Sequence, residues 1–173
     1  MTKFKLSLSI QYPDFRLKET LPRWRIRRWV QASLLMPAMI TIRFVDAQEG
    51  LTLNSTYRGK DYATNVLTFP YDDINDFPPC CADDDLSTPF LDSETPLTKT
   101  ACADIVLCTD VLLKEANAQQ KTITEHAAHL VVHGCLHAQG YDHIKDEEAE
   151  IMESMETQIL AKLGFKDPYQ IKD

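Results

Sequence analysis

The stretch His133-Gly134-Cys135-Leu136-His137-Ala138-Gln139-Gly140-Tyr141-Asp142-His143 decides how the chain is read. His133 and His137 stand four residues apart, so on a helix both imidazoles lie on one face, a turn from each other. Gly140 falls where that helix would stop, because glycine enters the left-handed conformation without a Cβ penalty. The reversal it permits carries His143 back towards the first two. Three neutral imidazoles converging from a helix and its following turn make a tetrahedral zinc site, one ion per chain, with the fourth position open to water. Three-histidine sites also accept nickel and other metals. The competing reading is three unconnected surface or core histidines.

Outward from this centre, His129 lies one turn before His133. It is read as a core or supporting histidine, the alternative being a fourth ligand that would close the site. His126 is expected at the surface. Asp142 either orients an imidazole or caps the turn, and Cys135 is read as core packing. Thr124 is expected to cap the histidine helix. After it, Asp146 opens a helix from Glu147 to about Leu163, with acidic residues favoured at its start by the helix dipole. Ile151, Met155, Ile159 and Leu163 form its expected buried stripe.

Upstream, Lys3 to Gln11 alternates apolar with polar residues, the period of a half-buried strand. Pro22 suits the first turn of a helix running to about Leu35. Arg23, Arg25, Arg27 and Arg28 are interleaved there with Trp24, Ile26, Trp29 and Val30. A solvated arginine face is one reading; phosphate contacts with a tryptophan for base stacking is the other. Met39 to Val45 reads as a strand, Asp46 as the cap of a helix over Gln48 to Tyr57, and Val66 to Phe69 as a strand ended by Pro70. Asp104 to Cys108 reads as a central strand, followed by a helix Val111 to Gln119 capped by Thr109 or Asp110. Residues 72–94 form an irregular insertion with eight acidic residues, no basic one, and the adjacent Cys80-Cys81. Four strands and about five helices in one domain give an α+β fold with a mixed sheet.

A length of 173 residues suffices for one hydrophobic core. No apolar run approaches the roughly 20 residues of a membrane span. Five cysteines without a Cys-x-x-Cys pattern fit a reducing cytoplasm rather than a disulfide framework. Residues 1–60 hold 11 Lys/Arg against 4 Asp/Glu and the rest 7 against 22, so +7 and −15 make up the net −8. The whole is not a typical nucleic-acid binder, but its first third could present a basic face to a polyanion.

The histidine spacing also matches the metzincin metalloproteases, with Gly134 where those place the glutamate base. Peptidase chemistry therefore lacks its proton acceptor. More specifically, His133-Gly-Cys-Leu-His137-x-x-Gly-Tyr-Asp-His143 resembles the signature of the bacterial YbeY family. Leu53-Asn54, Tyr57-Arg58, Lys60 to Pro70, Asp104-Ile105-Val106 and Asp146 to Glu150 resemble that family's other blocks. The resemblance implies a metal-dependent endoribonuclease acting on single-stranded RNA, in maturation of the 16S rRNA 3′ end and in ribosome quality control. It implies zinc on His133, His137 and His143, and a functional Arg58 facing the metal. The expected partners are rRNA and the small ribosomal subunit in the cytoplasm, with no membrane and no DNA. The alternative is a non-catalytic ribosome-associated factor with a structural zinc. Ala103 replaces a family glycine, which would cost about 1 kcal/mol if that position had positive φ.

Overall fold

Four segments assemble into one sheet. The computed structural model describes residues 3–71 and 99–170; the acidic insertion, with Cys80-Cys81, lies outside the described residues. The strands are β1 (Leu6–Gln11), β2 (Ala38–Val45), β3 (Val66–Tyr71) and β4 (Ala101–Cys108). Their order across the sheet is β1-β2-β4-β3, with β1, β2 and β4 parallel and β3 antiparallel to β4. The helices are α1 (Arg23–Ser33), α2 (Ala47–Arg58), α3 (Thr109–Ala118), α4 (Ile123–Ala138) and α5 (Asp146–Lys162). The result is the expected single α+β domain.

Alternation along the strands sends side chains to two faces. Ile40, Ile42 and Phe44 of β2 and Ile105 and Leu107 of β4 join α1, α4 and α5 in the main core. Val45, Val106 and Cys108 face the other way, against Leu53 of α2 and Phe69. Helix α4 lies in the middle of the main core and buries Leu130, Val131, Cys135 and Leu136. The helix that carries the histidines is thereby held rigidly on the sheet.

Several boundaries differ from expectation for identifiable reasons. Strand β3 continues through Pro70 to Tyr71; it is an edge strand, where a residue without an N–H is tolerated. Helix α3 starts at Thr109 without a side-chain cap, because Asp110 is committed to Arg16 and to the Ala47 amide. Helix α4 is capped by Thr122, not Thr124. Thr122 and Glu125 bond each other's backbone amides reciprocally, a capping box that Thr124 has no glutamate three residues on to complete. Pro22 is the N-cap of α1 rather than a first-turn residue. Ala103 pairs with Ile40 and Pro70 inside β4, and Gln120 alone among the described non-glycine residues has positive φ. The feared alanine strain is absent.

Candidate metal centre

The end of α4 builds the site. Gly140, at φ 97°, turns the chain. Its amide donates to the His137 carbonyl and the Tyr141 amide to the Leu136 carbonyl, the paired bonds of a Schellman turn. That reversal places His143 beside the two helical histidines. Ligand nitrogens of His133, His137 and His143 all lie within 4.8 Å of one another. The ring centroids are 4.6 Å apart for His133–His137, 4.9 Å for His137–His143 and 5.6 Å for His133–His143.

The donor set fits a metal. Nε2 of His137 and Nε2 of His133 are 3.1 Å apart, close to the roughly 3.4 Å that tetrahedral zinc–nitrogen bonds of about 2.1 Å require. Burial, reinforced by the neighbouring His133 and His143, lowers the pKa of His137. That favours the neutral imidazole a metal needs.

Behind the histidines sits Glu156 of α5, with no exposed surface. Its Oε1 is 2.6 Å from Nδ1 of His133. Its Oε2 is 3.1 Å from Nε2 of His129 and accepts from the Tyr169 hydroxyl. Burial pushes this carboxyl up, but hydrogen bonds from His129, His133 and Tyr169 outweigh it and hold the pKa at about 2. An ionised carboxylate only accepts, so His133 carries its proton on Nδ1 and aims the Nε2 lone pair at the cluster. Glu156 lies off the stripe expected on α5, which runs through Ile151, a residue 55% exposed. The buried face is instead Met152, Glu156, Ile159 and Leu160. A glutamate spaced four from Met152 and three from Ile159 is the signal that could have found it.

His129 bonds Glu156 and so supports the site from behind. His126 is buried rather than at the surface, 2.8 Å from the Glu115 carboxylate, because α3 packs over that end of α4. Asp142 accepts from the His143 amide at 2.7 Å, a turn-capping bond, while its carboxylate is 4.0 Å from the His143 ring nitrogen. Cys135 is fully buried, and burial pushes its thiol up to about 12.

The three histidines open into a cleft of about 580 Å³ whose other wall carries Arg58, Thr64, Asn65 and Thr68. Arg58 ends α2, and the loop after it is pinned by Asn54, whose amide donates to the Tyr62 carbonyl at 2.6 Å. All four residues singled out from sequence thus line one cleft. Gly134 faces the sheet: a Cβ there would meet Ile105 Cγ2 at 2.9 Å and Thr68 Oγ1 at 3.3 Å. The close approach of α4 to β4 leaves no room for the metzincin glutamate.

The family model described as Endoribonuclease YbeY matches residues 10–164. A protein named Endoribonuclease YbeY from Janthinobacterium sp. (strain Marseille) is 57% identical over 169 residues, covering 98% of this chain and 97% of that one. A protein of the same name from Herminiimonas arsenicoxydans is also 57% identical over 169 residues, covering 98% of both. A solution structure from Thermotoga maritima, 20% identical, aligns over 94% of this chain and 99% of its own with a TM-score of 0.48. With a family match over most of its length and relatives above half identity, the chain belongs to the YbeY family.

Proposed function

We propose that this protein is a zinc-dependent endoribonuclease that cleaves single-stranded RNA, with His133, His137 and His143 as the metal ligands and Arg58 as the residue that binds the scissile phosphate. The observation that carries the reading is one cleft lined by three convergent histidines and a guanidinium, together with relatives named as endoribonucleases. A bound metal supplies Lewis-acid charge beside the phosphodiester. Arg58 offers a planar fork matched to two phosphoryl oxygens and to the charge they gain during cleavage. Glu156 fixes the His133 tautomer and ring, and burial favours the neutral form of His137. The absence of a glutamate at position 134 argues against peptide hydrolysis. Maturation of the 16S rRNA 3′ end, ribosome association and a cytoplasmic site of action complete the proposal; among the described residues no helix is long and apolar enough to cross a membrane.

The test runs wild type, His137→Ala and Arg58→Ala side by side on a labelled single-stranded RNA, with metal content measured in each. Cleavage falls about 100-fold or more in both variants, while metal is lost only from His137→Ala. Equal cleavage by all three would overturn the proposal.

A further inference from the structure

Four cations and a tryptophan surround a groove separate from the metal cleft. It measures about 910 Å³ and runs between α1, α5 and the start of the chain. Trp24, Arg28 and Gln31 follow one another at i, i+4 and i+7 along α1, so they share a face, with Arg27 beside them. Lys162 comes from the last turn of α5 and Lys3 from ahead of β1. Lys3, Arg27, Arg28 and Lys162 make no hydrogen bond or ion pair among the described residues, and no carboxylate lines the groove. In a chain of net charge −8, where carboxylates outnumber cations, four unpaired cations around one groove repel each other until an anion joins them. Trp24 is 63% exposed, with the Arg25 guanidinium 5.2 Å from its ring centroid. Buried Leu34 and Ile159, with half-buried Met155, give the groove an apolar lining.

The metal cleft, by contrast, is lined by one permanent cation, Arg58, with Asp142 across from it. Single-stranded RNA carries a charge per nucleotide, so an acidic protein that holds several nucleotides needs cations beyond the scissile phosphate. The two surfaces adjoin at the end of α4. Gln139 accepts from the Leu35 amide at 2.7 Å and donates to the Ser33 carbonyl at 2.8 Å. The next residue, Gly140, lines the cleft. Helix α5 begins three residues after His143, and its rise carries Lys162 about 24 Å from Asp146.

We propose that the α1–α5 groove is a second binding site for single-stranded RNA, its phosphates held by Lys3, Arg27, Arg28 and Lys162 and a base stacked on Trp24. The proposal rests on the endoribonuclease reading for its choice of ligand. An acidic peptide is the competing occupant, but the exposed, arginine-backed indole favours a base face over a carboxylate.

The experiment follows intrinsic tryptophan fluorescence, because Trp29, the second of the chain's two tryptophans, is only 2% exposed. Metal-loaded wild type, Trp24→Phe and the Arg27→Glu/Arg28→Glu double variant are titrated with single-stranded RNA of about 20 nucleotides, and cleavage of an RNA of about five nucleotides is measured in parallel. The expected results are saturable quenching that Trp24→Phe abolishes and a Kd for the longer RNA raised about tenfold in the double variant. Its salt dependence flattens by about 1.4 in log–log slope. Cleavage of the short RNA stays unchanged. If the double variant binds the longer RNA as tightly as wild type while both cleave the short one, the groove assignment falls and the nuclease reading survives. Quenching by oligoglutamate but not by RNA also overturns it, in favour of an acidic protein partner. Trp24-dependent RNA binding by a wild type that cleaves neither RNA upholds the groove and removes the nuclease reading.

Discussion

Glu156 is a charge placed where charges are rare, and it is tolerated because both oxygens are engaged. An unpaired carboxylate in that position would be strongly destabilising. Its value at the site is directional: a histidine held by a carboxylate on Nδ1 presents Nε2 with its lone pair ready. Glu156→Gln preserves volume but removes the charge. The expected outcome is metal affinity lowered by about 10- to 100-fold, read by competition with a chromogenic chelator, with the circular dichroism spectrum retained. Unchanged affinity would show that His133 needs no partner to hold its tautomer. Arg58 is positioned differently, at a helix end facing the cleft, and its proposed role is toward substrate rather than metal.

At the scale of elements, the contact between α4 and β4 sets how deep the histidines sit. Gly134→Ala forces a methyl against Ile105 Cγ2 at 2.9 Å, so the helix must lift or the isoleucine must shift. Overpacking of this kind costs about 1–3 kcal/mol. The expected drop in melting temperature is about 2–12 °C, with metal affinity falling too as the helix moves; differential scanning calorimetry checks the first. The helices and strands themselves were largely legible, since period-two alternation and capping residues carry local information. The three histidines and Arg58 were legible as well, through spacing and family blocks. What escaped the sequence at the site was polar residues at buried positions. Glu156 and His126 each break the apolar pattern that marks a core face, and each bonds a partner on another helix, His133 or Glu115. Pairing of that kind depends on how α3, α4 and α5 pack, which no local pattern encodes. Asp110 misled in a related way, because its carboxylate serves two other segments instead of its own helix.

For the molecule as a whole, charge ties distant segments together. One tie holds the early chain to α3: Arg16 donates to Asp14 at 3.0 Å and to Asp110 at 2.9 Å. Hydrogen bonds from Arg16 lower the pKa of both carboxyls. Their folded-state pKa values lie below the unfolded ones, so the stabilisation is complete above about pH 4 and is lost as pH falls through the folded values. Melting temperature of the metal-free protein is expected to fall as pH drops below about 4, and Arg16→Ala to show a shallower fall over that window. Identical slopes in wild type and variant would assign acid sensitivity to other groups.

Tyr169, in the last described turn of the chain, shares the Glu156 carboxylate with His133. Tyr169 and His133 therefore share one anion, so tail docking and metal binding at His133 would be coupled, and thermodynamic reciprocity applies to them. Whatever seats the tail steadies an imidazole proposed to hold the metal, and metal loading would in turn steady the tail. Amide exchange near Tyr169 should slow when metal is added and quicken when it is chelated, so that this turn acts as a gauge of what the histidine cluster holds.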